Sequence, residues 1–247
     1  MELDRIYNID AFDGLKQITS ESIDLVLTDP PYGTTQNAWD KVIDLPQFWQ
    51  EMSRIIKPHG AILIWSQMPF TIDLVMGGRK LWRYEWIIEK ANATGFFNAS
   101  RMPMKAHESI QVFYKHLPTY NAQLVKGKPY VRGDNGPSDN YGKFHHVKKL
   151  NKSGYRKPRD VLKTAWRKSH GHTLHPTQKP LSVTEYMIKT YSNEGDTVLD
   201  CFAGSGTTPL AAKHLNRHYI GFEKEKDYWQ ICQDRCDCYA RPNNRIC

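Results

Sequence analysis

The chain has 247 residues, 40% of them hydrophobic, and a formal net charge of +8 at pH 7. This length and composition are enough for a sizeable core and do not suit a disordered protein. Apolar runs such as Ala61–Trp65 are far too short to cross a bilayer, and the first residues do not begin a signal peptide. We therefore expect a cytoplasmic protein without membrane contact.

The cysteines predict neither a disulfide framework nor a metal site. There are five of them, an odd number, and four lie within the last sixteen residues. The spacing of Cys232, Cys236 and Cys238 matches no common zinc pattern, and the histidines His170, His172 and His175 have no evident carboxylate partner. We expect reduced thiols and no metal.

The positive charge is concentrated in the middle of the chain. Residues 1–114 carry 11 basic and 14 acidic side chains, residues 115–172 carry 14 and 3, and residues 173–247 carry 9 and 9. All of the excess positive charge therefore lies in the middle segment. This pattern is typical of a polyanion-binding insertion in an otherwise balanced enzyme.

Hydrophobic periodicity predicts that strands and helices alternate along the first half of the chain. They are strands at 5–9, 23–28, 61–66, 84–89 and 109–114, and helices from Ala11, from an N-cap at Asp44 to a stop at Pro58-His59-Gly60, and at 70–76. A loop joins the last two strands, which suggests an antiparallel hairpin. The alternation itself is typical of an α/β fold.

Asp29-Pro30-Pro31-Tyr32 directly follows the apolar strand at 23–28, at the edge where α/β sheets bind ligands. The two prolines fix the backbone, so that the Pro30 carbonyl remains a free acceptor. A carboxylate beside a carbonyl matches the two hydrogens of an amino group, and Tyr32 adds a flat face. The four residues therefore suit a planar ring with an exocyclic amine, and a rigid turn with a solvated Asp29 is the alternative.

Residues 115–172 lose all periodicity and interleave basic with aromatic side chains. So long a loop is uncommon in a compact domain unless it is functional, and this mixture suits phosphates and bases. A solvated surface loop is the alternative. We predict nucleic-acid contact, with these candidate residues: Arg132, Asn135, Lys148, Lys149, Arg156 and Arg159.

A second motif follows the strand at 197–201. The loop Phe202-Ala203-Gly204-Ser205-Gly206 leads into a helix that opens at Thr207. Glycines let a ligand approach the backbone, and the helix start offers unpaired N–H groups. The loop is not G-x-G-x-x-G, but Glu223 ends the next strand, where nucleotide-binding units keep an acid for ribose hydroxyls.

Three motifs in this order resemble those of the amino-group DNA methyltransferases that use S-adenosylmethionine. They are Asp29-Pro30-Pro31-Tyr32, His175-Pro176-Thr177-Gln178-Lys179-Pro180 and Phe202-Ala203-Gly204-Ser205-Gly206-Thr207-Thr208. With the catalytic motif first and the cofactor loop last, the chain is similar to the permuted beta class. The resemblance covers nearly the whole chain except the basic insertion.

The resemblance implies a Rossmann-like class I methyltransferase fold, with a mostly parallel sheet, helices on both faces, an antiparallel hairpin and a circularly permuted motif order. Residues 1–114 would then form the catalytic half, 115–172 an inserted target-recognition region, and 173–247 the cofactor-binding half. It also implies a cytoplasmic enzyme of a prokaryotic cell or a phage. One departure is Cys201, which stands where many relatives have proline.

The resemblance assigns roles residue by residue. The target base would be held by Asp29, Pro30, Pro31 and Tyr32. The cofactor adenine would lie near Asp10 and Ala11 and its ribose near Glu223. The cofactor wall and the helix start behind it would comprise Phe202, Gly204, Ser205, Gly206 and Thr207. The methionine end would lie towards Asp200, His175, Thr177 and Lys179.

The implied activity is methylation of the N6 amino group of adenine in double-stranded DNA, by base flipping and direct transfer. Cytosine N4 is an alternative target, although similar enzymes acting on cytosine more often have Ser where Asp29 stands. RNA methylation and a non-catalytic DNA-binding protein that retains the fold are further alternatives. The resemblance also leaves room for a homodimer and for a cognate restriction endonuclease.

Overall fold

The structure is a computed structural model that describes residues 1–34, 40–132, 149–164 and 178–238. It comprises two compact units. The larger is formed by Met1–Asn121 with Asp160–Cys247, and the smaller by Ala122–Arg159.

The elements of the first part of the larger unit are β1 (Arg5–Tyr7), α1 (Ala11–Lys16), β2 (Ile23–Thr28), α2 (Leu45–Ile55), β3 (Ile56–Ser66), α3 (Phe70–Gly77), β4 (Trp82–Thr94) and β5 (Lys105–Phe113). The smaller unit contributes β6 (Val125–Lys126), β7 (Tyr130–Arg132), β8 (Lys149–Asn151) and β9 (Tyr155–Arg156). The larger unit then continues with β10 (Val161–Lys163), α4 (Leu181–Tyr191), β11 (Thr197–Asp200), α5 (Thr207–His214), β12 (His218–Phe222) and α6 (Lys226–Cys238).

The larger unit is built on an eight-stranded sheet with the order β1-β12-β11-β2-β3-β5-β4-β10. Its pairings are parallel except for those of β5, which runs antiparallel to both β3 and β4. The mostly parallel α/β sheet and the antiparallel β4–β5 hairpin are therefore confirmed. The central strand β2 is almost continuously apolar because both of its faces are covered.

Alternation along the strands divides the core between the two faces of the sheet. Leu25 and Leu27 of β2 pack with buried residues of α4, α5 and α6. Val26 points to the other face, where α1, α2 and α3 supply the neighbours. None of the helices in the described ranges is long and apolar enough to cross a bilayer.

The predicted start of α2 is confirmed, but its predicted stop is wrong. The Asp44 side chain accepts the Gln47 N–H at 2.9 Å, which caps the helix as expected. The helix ends at Ile55, and Pro58-His59-Gly60 lies inside β3. The β2–β3 pairing jumps from Ile23↔Ile56 to Leu25↔Ala61. The extra residues of β3 occupy this bulge, where a proline does not remove a ladder hydrogen bond.

The basic segment contains more regular structure than its lack of periodicity predicts. In the smaller unit, β6 pairs with β9 and β7 with β8, both antiparallel. Residues 161–163 form β10, which pairs with β4 at the edge of the large sheet, Val161 facing Ile87. Strands of two or three residues are too short to produce a period in the sequence, so only the pairing partner reveals them.

Candidate active site

A cavity of about 540 Å³ lies at the carboxyl edge of the parallel strands, within the larger unit. The ends of β2 and β11 meet there because these strands are neighbours, with Leu25 facing Val198 and Val26 facing Leu199. Most of the residues predicted for the site line it. They are Asp10, Ala11, Asp29, Pro30, Pro31, Tyr32, Lys179, Asp200, Phe202, Gly204, Ser205, Thr207 and Glu223.

Two further predicted cofactor residues, His175 and Thr177, lie outside the described residues. Gly206 is placed differently from the expectation of a cofactor wall, since it is absent from the cavity lining. It has φ +79°, and a Cβ added there would lie 2.3 Å from Sγ of Cys232 in α6. The glycine is therefore required by the backbone conformation and by close packing against α6.

Asp29 and Tyr32 contact each other directly. The Tyr32 hydroxyl donates to Asp29 Oδ1 at 2.5 Å, and the Tyr32 ring stacks on Phe70 with centroids 5.2 Å apart. Burial raises the pKa of Asp29, and the nearby Lys179 ammonium partly offsets that increase. Burial and the Asp29 charge raise the pKa of Tyr32 well above its ordinary value, so that the phenol remains a hydrogen-bond donor.

Lys179 lies between two carboxylates. Its Nζ is 3.2 Å from Asp29 Oδ2 and 3.0 Å from Glu108 Oε2. The same ammonium is 4.9 Å from the centroid of the Trp65 ring and 5.6 Å from that of Tyr32. Burial lowers the pKa of Lys179, but the negative charges of Asp29 and Glu108 raise it by more, so the net shift of this pKa is upward. Lys179 is thus a permanent cation beside Asp29 in the cavity.

Glu108 and Lys90 were not predicted as site residues. Lys90 Nζ lies 3.8 Å from Glu108 Oε1, so positive and negative groups alternate from Asp29 through Lys179 and Glu108 to Lys90. The Lys90 side chain is only 9% exposed. Both residues lie just outside the predicted strands at 84–89 and 109–114, and only the pairing of β4 with β5 shows that they meet.

The loop after Tyr32 is anchored by Asp40. Its two carboxylate oxygens accept the N–H groups of Gly33 at 2.8 Å and Thr34 at 3.0 Å. Gly33 has φ +67°, a conformation that favours glycine. These contacts join Asp40 to the two residues that directly follow Tyr32.

Asp200 connects the two motifs. Its Oδ1 accepts the hydroxyl of Thr28 at 2.7 Å and the N–H of Phe202 at 3.1 Å. Burial raises the pKa of Asp200 to about 6, although these hydrogen bonds oppose the shift. Since Thr28 immediately precedes Asp29, this buried carboxylate fixes the glycine loop against the end of β2.

Glu223 is attached to the glycine loop through its side chain. Oε2 accepts the Gly204 N–H at 2.8 Å, and Oε1 accepts the Glu225 N–H at 2.8 Å. Burial raises the pKa of this carboxyl. Each carboxylate oxygen has two lone pairs, so the group retains acceptor capacity for a ligand. Asp10 is also engaged, since its Oδ1 accepts the Phe12 N–H at 2.9 Å and caps α1.

Two buried polar atoms of the cavity wall have no hydrogen-bond partner among the described residues. They are Thr207 Oγ1 and Gln178 Oε1. Buried polar groups are nearly always hydrogen-bonded, so these two residues of the cavity wall are candidates for contact with a polar ligand. Thr207 was predicted as a site residue. Gln178 was part of a quoted motif but received no role.

The smaller unit contains the described part of the predicted DNA-contact set. The Arg156 guanidinium lies 5.1 Å from the centroid of the Tyr130 ring and donates to the Lys128 carbonyl at 3.3 Å. The backbones of Arg132 and Lys149 are partners across β7 and β8. Residues 122–159 have ten basic and two acidic side chains, which gives this unit a strong positive charge.

Arg159 is exposed at the end of the same unit. Asn135 and Lys148 lie outside the described residues. Within the described ranges, no group of three or more His, Cys, Asp or Glu side chains could hold a metal ion. The cysteines Cys201, Cys232 and Cys236 are buried and free.

The chain resembles DNA methyltransferases over most of its length. A family described as DNA methylase matches residues 23–234. The Type II methyltransferase M.HpaI of Haemophilus parainfluenzae is 34% identical over 261 residues, which cover 94% of this chain and 74% of that protein. The Type II methyltransferase M.HinfI of Haemophilus influenzae is 29% identical, with 94% of this chain and 68% of that protein covered.

Two solved structures share the fold. The M1.HpyAVI-SAM complex has a TM-score of 0.63 and 27% identity, and the match covers 94% of this chain and 98% of that one. The PvuII DNA methyltransferase, described as cytosine-N4-specific, has a TM-score of 0.68 and covers 98% of this chain and 88% of that one. At 16% identity, the second likeness shows the fold alone. The family match includes both β2, which leads into Asp29, and the glycine loop with Glu223, and the chain belongs to the DNA methylase family.

Proposed function

We propose that the chain transfers a methyl group from S-adenosylmethionine to the N6 amino group of adenine in double-stranded DNA. The observation that carries this proposal is the Asp29 carboxylate. It lies beside Tyr32 in the same cavity as the glycine loop and Glu223. The same cavity thus offers an acceptor for the amine of the target base and a wall for the nucleoside part of S-adenosylmethionine. These two ligands must meet for the transfer to occur.

The cavity residues fit S-adenosylmethionine. Glu223 offers two carboxylate oxygens for adjacent ribose hydroxyls, and Phe202 adds an apolar wall. Thr207 Oγ1 and Gln178 Oε1 would satisfy their hydrogen bonds with the polar groups of the cofactor. When bound, the cofactor supplies an electrophilic methyl group on a sulfonium.

Asp29 and Pro30 would hold the amine of the target base. The lone pair of adenine N6 is delocalised into the ring, which makes the nitrogen a poor nucleophile. Hydrogen bonds from both N6 hydrogens to the Asp29 carboxylate and the Pro30 carbonyl localise and orient that lone pair. Both Asp29 oxygens already have a partner, Tyr32 and Lys179, and each retains a second lone pair that can accept an N–H of the amine.

The carboxylate favours adenine over cytosine. Similar enzymes that act on cytosine more often have serine where Asp29 stands. A carboxylate accepts charge-assisted hydrogen bonds from either exocyclic amine, so the proposal of adenine rests on this resemblance. Cytosine N4 is the competing target, and the family includes both types in its name.

Duplex DNA is the proposed partner. A base inside a duplex cannot reach a cavity at the sheet edge, so the target nucleotide must be flipped out, at a cost of roughly a few kcal/mol. The smaller unit, with ten basic and two acidic side chains, supplies the charge for phosphate contact. The relatives are named Type II methyltransferases, which supports a cognate restriction endonuclease as a further proposed partner.

The test is product analysis. Purified protein is incubated with unmethylated genomic DNA, or with RNA, and labelled S-adenosylmethionine, and the nucleic acid is digested to nucleosides. We expect N6-methyladenine from DNA. Asp29→Ala should abolish the label while cofactor binding persists, and Asp13→Ala, which removes an exposed carboxylate of α1, should leave it unchanged.

Each other outcome has a distinct meaning. N4-methylcytosine would overturn the adenine assignment, and label in RNA would overturn the DNA assignment. If the folded wild-type protein transfers no methyl group, the alternative of a non-catalytic DNA-binding protein that retains the fold would be favoured. Near-normal transfer by folded Asp29→Ala would remove Asp29 from the chemistry.

A further inference from the structure

The turn between β4 and β5 exposes an aromatic pair to solvent. We name residues 95–104 the aromatic turn. Phe97 is 99% exposed and Phe96 is 75% exposed, and two methionines of the same turn, Met102 and Met104, are 54% and 38% exposed. Single exposed apolar residues are ordinary, but four on one turn form a patch that calls for a partner.

The aromatic turn has a defined backbone conformation. Residues Phe96–Asn98 form a single 3₁₀ turn after Gly95, whose φ is +91°. The N–H groups of Ala99 and Met102 donate to the carbonyls of Phe96 and Asn98, each at 3.0 Å. The two phenyl rings are therefore presented on an ordered support, which reduces the entropy cost of binding.

The aromatic turn adjoins the mouth of the catalytic cavity. Lys90, Asn92 and Thr94 of β4 all line this cavity. The pairing of β4 with β5 is irregular between Glu89 and Thr94, and the end of β4 nevertheless forms one wall of the cavity. Thr94 is the last residue of β4, and the aromatic turn begins at the next residue. A ligand that reaches the cavity along β4 therefore lies next to the aromatic turn.

The charge around the aromatic turn suits a polyanion. Residues 91–107 include Arg101, Lys105 and His107 and contain no Asp or Glu. Arg101 and Lys105 are exposed. DNA has stacked bases between phosphates, so apolar rings between cations match its chemistry. A second copy of this chain, with an apolar surface, would match the rings but not the cations.

We propose that the aromatic turn is a wedge for duplex DNA: Phe97, supported by Phe96, enters the base stack where the target nucleotide leaves it. The inference rests on the proposed base-flipping function. Proteins that kink or open duplexes insert apolar side chains such as Phe between base steps, and a flipped nucleotide leaves a gap of aromatic dimensions. Arg101 and Lys105 contact the phosphates beside this gap.

The experiment compares the double variant Phe96→Ala/Phe97→Ala with the wild type on two duplexes that contain the mapped target adenine. In one the adenine is paired, and in the other it lies opposite an abasic position, so that flipping is already easy. A third duplex carries 2-aminopurine at the target, whose fluorescence rises when the base unstacks. Phe97→Leu retains apolar bulk, and Met76→Ala, at a residue of α3 that is 67% exposed, is the matched control.

On the paired duplex we expect kcat of the double variant to fall about tenfold or more and the fluorescence rise to disappear. On the abasic duplex its kcat should lie within about threefold of wild type, because the wedge is no longer needed. The KM for S-adenosylmethionine should not change. Phe97→Leu should recover part of the activity, and Met76→Ala should behave as wild type.

An equal reduction of kcat on both duplexes, or no reduction of kcat on the paired duplex, would overturn the proposal of a wedge. A reduction that follows dissociation of an oligomer, measured by light scattering, would instead assign the turn to an interface with a second copy of the chain. A wild-type protein that methylates the adenine without any fluorescence rise would refute both flipping and the wedge. A wild-type protein without methyl transfer would refute the proposed function instead, so the two failures are distinguishable.

Discussion

Replacing Lys179 by methionine tests the charge arrangement around Asp29. The Lys179 side chain is 13% exposed, and its ammonium lies 3.2 Å from Asp29 Oδ2 and 3.0 Å from Glu108 Oε2. Methionine retains most of the apolar stem and removes the charge. The two carboxylates then face each other without the cation between them.

We expect the free energy of unfolding to fall by about 3 kcal/mol at neutral pH. Removing one partner of a buried ion pair costs about 3–5 kcal/mol, because the other charge remains buried without its counterion. The lower end applies here, since the Asp29 and Glu108 side chains are 23% and 25% exposed. Lys90, 3.8 Å from Glu108, continues to compensate part of the negative charge.

The destabilisation should depend on pH in a defined direction. Burial raises the pKa of Asp29, and Lys179 lowers it, so the variant has a still higher pKa. A carboxyl whose pKa is higher in the folded than in the unfolded protein costs stability when it ionises. This cost begins above the ordinary value of 3.8 and is complete above the folded pKa. The destabilisation should therefore be larger at pH 8 than at pH 5.

Urea unfolding of wild type and variant at pH 5 and pH 8 measures both effects. Lys163→Met is the control, since that lysine is 81% exposed and 3.4 Å from Glu89, and it should change stability by less than about 1 kcal/mol. The acid limb of the methyl-transfer rate should also move to higher pH, because the ionised Asp29 is the acceptor. A destabilisation under about 1 kcal/mol at pH 8, or equal values at both pH values, would refute the reasoning.

Three further predictions concern the cofactor wall and the basic unit. Glu223→Ala should weaken S-adenosylmethionine binding about tenfold or more in calorimetric titration, since charge-assisted hydrogen bonds contribute about 1.5–3 kcal/mol each, and an unchanged Kd would remove it from the site. Gly206→Ala should destabilise the protein by about 2–3 kcal/mol more in urea unfolding than Gly195→Ala. Both glycines have positive φ, but only at Gly206 does the added Cβ lie 2.3 Å from a buried thiol. Equal destabilisation by the two substitutions would contradict this. Replacing Lys148 and Lys149 by glutamine should flatten the slope of log affinity against log salt by about 0.9 for each phosphate that is no longer neutralised, and an unaltered slope would mean that other residues neutralise the phosphates.

Elements with local signals could be predicted from the amino-acid sequence. The apolar run of β2 and the cap at Asp44 predict their elements from neighbouring residues, and both are confirmed. The Asp29-Pro30-Pro31-Tyr32 motif and the glycine loop were recognisable because their chemistry depends on adjacent residues in a fixed order. The stop of α2 was misplaced because Pro58 ends helices in most contexts, and only the bulged pairing with β2 allows it inside a strand.

The tertiary structure alone decided which charged groups meet in the cavity. Asp29 follows β2, Glu108 belongs to β5 and Lys179 precedes α4, so their contacts depend on strand order. Strand pairing across long sequence separations has no local signature, since each edge of a strand offers the same backbone groups to any neighbour. The packing of Gly206 on α6 could not be predicted from the sequence either. A glycine in such a motif can serve ligand approach or close packing between elements, and the motif does not distinguish the two.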